Sequence, residues 1–346
     1  MKLFIMVLIF GFAAGVVSAQ ADPTWLIYAT PYSPGHPFSR ADQTWLNWVE
    51  RESKGTLRIT PVWSGALISS DNSLLEVRHS VTDIAYIAPI YSRGGTHLLR
   101  IQTGFYSGAK TFQQQVAVYR CLAADFPEYD KELKGLKILA VQGGSLAGIL
   151  TSRHPVRSLD DLKGLRIRVP TELLNMMREL GADPISLPMG DVYSALAKDV
   201  IDGVVAPLNT LKALHFAEVI KYYTRIDVPR GAYPSRAINL KRWKSLSDSQ
   251  RKVLDASTSV WEAAMAKEIE ESDIAGEEEG RRLGVEFIDI ALSDQKRFDE
   301  LYKADALINA KALNRYGIDG EIVFNDARRI IKNIKLNGTV VCGGNR

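Results

Sequence analysis

The amino-acid sequence predicts an α/β protein made of two similar domains that face each other across a cleft. Three observations carry that expectation. Short apolar runs with strand character alternate with stretches of helical periodicity, which is the pattern of α/β architecture. One strand-entry segment is echoed far downstream: Val81-Thr82-Asp83-Ile84-Ala85-Tyr86-Ile87-Ala88-Pro89 resembles Val200-Ile201-Asp202-Gly203-Val204-Val205-Ala206-Pro207, with one residue missing. In both, a helix delivers the chain through Val-x-Asp into a short strand that stops at Ala-Pro. The echo covers only nine residues, so chance similarity is the alternative. Third, 346 residues of average globular composition, 46% hydrophobic and 24% charged, suffice for two domains of ordinary size.

The chain opens with Lys2 and an uncharged run from Leu3 to Val17, followed by small residues. That is the layout of a secretory signal peptide, with cleavage expected after Ala21. An uncleaved anchor is the alternative, and no cysteine at the cut supports a lipoprotein. Trp25 to Ala29 reads as a buried strand, broken by Pro31, Pro34 and Pro37. Ala41 to Lys54 carries Trp45, Trp48 and Val49 at helical spacing, with Gly55 placed as a C-cap. Leu57 and Ile59 begin a strand that ends near Pro61, and Leu74 to Ser80 is a helix leading into a strand over Ile84 to Ala88. Further strands are expected at Leu136 to Val141, Leu165 to Val169 and Gly203 to Val205, the last two separated by helices at Glu172 to Leu180 and Asp191 to Lys198. Gly143 to Gly148 reads as a crossing between domains. Ser247 and Gln250 form a capping box ahead of a helix that persists to about Leu283, long enough to span both domains. Ser293 is the expected N-cap of another helix carrying Phe298 and Leu301, and the tail around Val340 to Gly344 reads as extended.

A formal net charge of +3 leaves no electrostatic footprint for nucleic acid or an anionic membrane. Only Cys121 and Cys342 occur, too far apart for a zinc or redox motif. In an oxidising compartment they are expected to form one disulfide, with two free thiols the alternative. None of the five histidines has metal-ligand spacing, no G-x-S-x-G elbow is present, and the glycine-rich 143–148 stretch lacks phosphate-loop order. No metal or cofactor is expected.

One strand has an unusual end. In Gly164-Leu165-Arg166-Ile167-Arg168-Val169-Pro170, Leu165, Ile167 and Val169 share a face, and Arg166 and Arg168 share the other. Pro170 ends the strand, which puts Arg168 at a carboxyl end, where ligands bind in open α/β sheets. A guanidinium grips a carboxylate bidentately and keeps its charge. Taken alone, an arginine at a strand end is more often one half of a surface ion pair.

The stretch Ser158-Leu159-Asp160-Asp161-Leu162-Lys163-Gly164-Leu165-Arg166-Ile167-Arg168-Val169-Pro170 resembles the central motif of the solute-binding proteins of TRAP transporters, the DctP type. Leu180-Gly181-Ala182-Asp183-Pro184, Gly190-Asp191-Val192-Tyr193-Ser194-Ala195-Leu196 and Ile201-Asp202-Gly203 with Pro207 follow in the family's order. His36-Pro37, Ser53-Lys54-Gly55, Asp83 and Leu246-Ser247-Asp248-Ser249-Gln250 also fit, so the resemblance spans essentially the whole mature chain. It implies a two-domain periplasmic-binding-protein fold with crossing strands and a long domain-spanning helix. Residues 22–145 with about 233–275 would form one domain, and 146–232 with about 276–346 the other. It implies a periplasmic, monomeric protein, not an enzyme, which captures a small organic carboxylate and delivers it to the transporter's membrane subunits. The family's carboxylate-binding arginine matches Arg168.

The departures narrow the ligand. Sialic-acid binders of the family have a second arginine where this chain has Gly148, and an asparagine where it has Ala206. They have a glutamate near the position of Ala88 and an aromatic where Met189 stands. Polyhydroxylated acids need many matched hydrogen bonds, so these apolar residues imply a smaller or more hydrophobic acid, aromatic acids included. Tyr86, Tyr91, Phe105 and Tyr233 are candidate walls. Two other readings are a protein that presents its ligand to a sensor kinase and a periplasmic enzyme on this fold. The first is separated by neighbouring genes, and the second by turnover of bound ligand.

Overall fold

The strand-forming runs pair into two mixed sheets in the computed structural model, which describes residues 22–92, 94–338, 340 and 342. The signal-peptide segment and most of the expected extended tail lie outside the described residues. In chain order the strands are β1 (Thr24–Ala29), β2 (Leu57–Val62), β3 (Ile84–Tyr86), β4 (Leu136–Gln142), β5 (Ala147–Thr151), β6 (Arg166–Arg168), β7 (Asp183–Ile185), β8 (Gly203–Ala206), β9 (Tyr222–Val228), β10 (Tyr233–Asn239) and β11 (Glu286–Asp289). The first sheet runs β2-β1-β3-β10-β4 and the second β11-β9-β5-β8-β6-β7.

Read from opposite edges, the two sheets repeat one plan. β1 is parallel to β2 and β3, and β6 is parallel to β7 and β8. β10 inserts antiparallel between β3 and β4, and β5 inserts antiparallel between β8 and β9. The chain crosses from the first sheet to the second between β4 and β5, and returns between β9 and β10. The echoed Val-x-Asp segments do the same work in each half. Asp83 Oδ2 accepts the backbone N–H of Ile27 at 2.8 Å, and Asp202 Oδ2 accepts that of Arg166 at 2.8 Å. Each aspartate pins the strand its own segment enters to the parallel neighbour.

Five longer helices clothe the sheets: α1 (Pro37–Glu52), α2 (Phe112–Asp125), α3 (Asp248–Arg282), α4 (Leu292–Lys311) and α5 (Gly320–Asn337). Among the described residues, no helix is long and apolar enough to cross a membrane. The Ser247–Gln250 capping box starts α3 as the sequence indicates, and its 35 residues reach about 50 Å. Leu254, Trp261 and Met265 enter the core of the first sheet, while Gly276 lies against the backbone at Leu208 in the second half. The second sheet is packed on both faces. Ile149, Ile167 and Val205 enter one core, and Leu150, Val204 and Ala206 enter the other, as strand alternation requires.

Three expectations change. α4 begins at Leu292 behind Ala291, which offers no side-chain cap, so Ser293 lies inside the helix. The helix expected over 172–180 divides into a 3₁₀ turn, Thr171–Leu173, and a short helix, Leu174–Glu179. Residues 276–346 do not pack as one block with the second half. β11, Phe298 and Tyr302 do, but Ala306, Ala310 and the apolar face of α5 (Val323, Ile330, Ile331) bury in the first core, against which α2 also packs. The Cys121–Cys342 disulfide forms, with a Cα–Cα distance of 5.0 Å, and ties the end of the chain to α2.

Candidate functional site

Strand alternation on β6 decides where its two arginines go. Ile167 and Val169 enter the core, so Arg166 and Arg168 emerge on the other side. Arg166 is taken up by structure, with Nε and Nη2 donating to the two carboxylate oxygens of Asp202 at 2.9 and 2.7 Å. Arg168 is only 2% exposed. Its Nε donates to the Leu187 carbonyl at 2.9 Å and its Nη2 to the Tyr91 hydroxyl at 3.0 Å. Among the described residues it makes no ion pair. Enclosing a guanidinium without an ion-pair partner costs several kcal/mol.

Arg168 opens into a cavity of about 80 Å³ between the two halves. The first half contributes Ile90, Tyr91 and Thr103, and the second Pro170, Glu172, Met189, Val205 and Pro207. The crossings contribute Ala147 and the Val228-Pro229-Arg230 turn. Arg230 brings a second guanidinium, which the sequence reading missed. It lies over Gly144, where an added Cβ would stand 2.6 Å from the arginine Cζ, so glycine is needed for this approach. Its signal was available: Val-Pro-Arg ends β9 at a proline, much as Arg-Val-Pro ends β6.

Glu172 is the second missed residue. As a whole it is half-buried, but its Oε2 is enclosed, and the enclosed Thr103 hydroxyl of the first half faces the same carboxyl. Burial pushes the Glu172 carboxyl above the usual range, while its own backbone N–H, the Thr103 hydroxyl, Arg168 and Arg230 pull it down.

Beside the cavity lies a tyrosine cluster. Burial first, then the neighbouring phenols, holds Tyr32 and Tyr86 above the ordinary phenol range. Tyr91 and Tyr233 belong to the same group, and Arg230 stands near it. Tyr32 meets Tyr86 edge to face at 5.3 Å and stacks on His36 at 4.2 Å. Behind Tyr86 runs a buried network. Arg236 pairs with Asp42 through Nε at 2.7 Å and Nη2 at 3.0 Å, Trp261 Nε1 donates to the same carboxylate, and Gln142 Nε2 donates to the Tyr233 hydroxyl at 3.2 Å.

Of the residues singled out in the sequence, Arg168, Met189 and Tyr91 line the cavity. Ala206 stands between two lining residues, but alternation turns it into the core behind β8. Gly148 faces away from the cavity. An added Cβ there would lie 2.6 Å from the Tyr223 ring, so Tyr223 fills the space a longer side chain would need. The Ala88 N–H donates to Ser73 Oγ within the first half. Tyr86 and Tyr233 are buried and do not line this cavity, and Phe105 packs on Phe324 in the core at 5.5 Å. Among the described residues, no group of His, Cys, Asp or Glu could hold a metal ion.

Comparison with known proteins agrees with this architecture. A TRAP solute-binding protein of Rhodoferax ferrireducens, solved with copurified benzoate, superposes with a TM-score of 0.78 at 20% identity, over 91% of this chain and 100% of that one. One from Bordetella bronchiseptica, with bound mandelate, gives 0.79 at 20% identity, over 90% and 100%. At that identity the likeness is one of fold. In sequence, the 2,3-diketo-L-gulonate-binding protein YiaO of Escherichia coli is 38% identical over 93 residues, 26% of this chain and 28% of its own length. The sialic acid-binding protein SiaP of Vibrio cholerae is 32% identical over 108 residues, 30% of this chain and 33% of its own. The chain thus matches about a third or less of these two relatives. The family model for bacterial extracellular solute-binding proteins, family 7, matches residues 28–307. With Arg168 at its strand end and the crossed two-sheet plan around it, the chain belongs to that family, DctP.

Proposed function

We propose that the protein captures a small organic carboxylate outside the cytoplasm and delivers it to the membrane subunits of a TRAP transporter. The observation that carries this reading is Arg168, a guanidinium 2% exposed and without an ion pair among the described residues, in a cavity between two halves. The carboxylate docks on the Arg168 fork, and Arg230 adds a second positive charge. Ile90, Met189, Val205 and Val228 offer apolar walls for a hydrocarbon body, and Tyr91 a ring face. Related proteins solved with benzoate and mandelate support an acid of modest size. Native mass spectrometry of protein purified from the periplasm without refolding tests the reading. A small acid should ride with the wild type and be missing from Arg168→Ala. The same mass retained by both proteins counts against it.

A further inference from the structure

A groove of about 200 Å³, apart from the cavity, lies where the two halves meet. His97 and Arg100 reach it from the first half, on the short helix His97–Ile101. Asn175 and Arg178 reach it from the second, on Leu174–Glu179. Asn309 of α4 and Arg315 of the 3₁₀ turn that follows, Ala312–Tyr316, close it. Among the described residues, no Asp or Glu lines the groove, and none of its three arginines makes an ion pair, although most of the other arginines do.

These side chains are held in place by other means. Arg178 Nη1 donates to Asn175 Oδ1 at 3.2 Å, and Asn175 Nδ2 donates to Asn309 Oδ1 at 3.3 Å. Of the carboxylates nearby, buried Asp305 accepts the Asn309 amide at 3.0 Å, and Glu179 does not line the groove. Arg315 lies over the Tyr316 ring, 4.8 Å from its centroid, and that ring stacks on His97 at 3.5 Å. Burial, then the charges of Arg100 and Arg315, lower the His97 pKa, so both guanidiniums stand near the imidazole. Buried Glu132 fixes the helix that carries Arg100, accepting the N–H groups of Leu98 and Leu99 at 2.7 and 2.9 Å. Like charges gathered this way repel, and a multivalent anion relieves the repulsion better than a monovalent one.

We propose that this groove is an anion site separate from the cavity at Arg168, and that it takes a compact multivalent oxyanion, a phosphate group or a small polycarboxylate. Guanidinium forks match both chemistries. Because its arginines come from both halves, a bound anion favours the arrangement in which they converge. Arg100 also lines the adjoining groove that contains Tyr91, whose hydroxyl accepts from Arg168. The assignment is independent of what the cavity holds.

Titration calorimetry at low salt tests it, on the full mature protein and on Arg168→Ala, which removes the cavity's guanidinium. Inorganic phosphate and citrate are the probes, and acetate is the monovalent control. Both proteins should bind a multivalent probe saturably and with similar affinity, acetate should bind far more weakly, and the tighter probe names the class. Arg100→Gln and Arg178→Gln should each weaken that binding about 10-fold, while Arg51→Gln on α1, which removes the same charge elsewhere, should not. Arg315→Gln replaces either variant that fails to fold. In small-angle scattering, Arg168→Ala should have a smaller radius of gyration in phosphate than in chloride of equal ionic strength. No saturable binding of either probe, acetate binding as tightly, an equal loss in Arg51→Gln, or loss of binding in Arg168→Ala overturns the anion site. An unchanged scattering curve at saturation overturns its effect on the two halves.

Discussion

Arg166 and Arg168 are two positions apart on one strand and share a face, yet the fold uses them differently. Asp202 neutralises the first, and among the described residues the second makes no ion pair. Arg168 was legible because alternation and Pro170 together fix its place. Arg230 and Glu172 were not, because their meaning comes from approach between distant segments: Arg230 over Gly144, and Glu172 against the turn at Thr103. His36 gives a pH prediction. Burial, with Arg40 and Arg236 nearby, pushes its pKa down from 6.5 to about 3, and its Nδ1 accepts the Phe38 N–H at the start of α1. A pKa depressed on folding contributes stability that is full above the unfolded value and fades as pH falls toward the folded one. Unfolding midpoints in urea should therefore drop as pH falls from about 6.5 toward 3. His36→Asn, which keeps an acceptor at the cap, should flatten that drop. An unchanged slope would remove His36 from the account.

Between elements, the echoed segments show how far periodicity carries. The central strands of both sheets follow from Val-x-Asp and Ala-Pro, because each aspartate holds the neighbouring parallel strand. The crossing strand β10 escaped notice for a physical reason. Tyr-Pro-Ser-Arg-Ala-Ile-Asn contains a proline and an arginine where a buried strand should be apolar, and Arg236 is tolerated only because Asp42 of α1 neutralises it. Removing one partner of such a buried pair typically costs about 3–5 kcal/mol. Asp42→Ala should lose that much in equilibrium urea unfolding; a loss below about 1 kcal/mol would mean the network adds little. The disulfide closes a separation of 221 residues. Cys342→Ser should cost about 2–5 kcal/mol, and non-reduced protein from the periplasm should resist alkylation. Two reactive thiols would contradict the bond.

At the scale of the molecule, two sheets of one plan are joined by exchanged strands, and a long helix runs behind both. The crossings at 143–146 and 229–232 carry Gly143, Gly144 and Gly231, and Asp273 of α3 braces this region by accepting the Ser145 hydroxyl and the Asn209 N–H. Arg168 and Glu172 reach from one half toward Tyr91 and Thr103 in the other, so a ligand bridging them favours closure. Small-angle scattering should show a smaller radius of gyration at saturating ligand, and an unchanged curve would count against hinge closure. The central claim is that Arg168 holds the ligand's carboxylate in a desolvated cavity. Calorimetry with the acid released from the wild type, or failing that the tightest-binding small acid of a panel, tests it most directly on wild type, Arg168→Ala, Arg168→Lys and Arg166→Ala. Losing one partner of a buried charge pair costs roughly 2–5 kcal/mol, so Arg168→Ala should weaken binding on the order of 30- to 3000-fold. Arg168→Lys should recover only part of that, and Arg166→Ala should change affinity far less. A folded Arg168→Ala that binds like the wild type would contradict the claim.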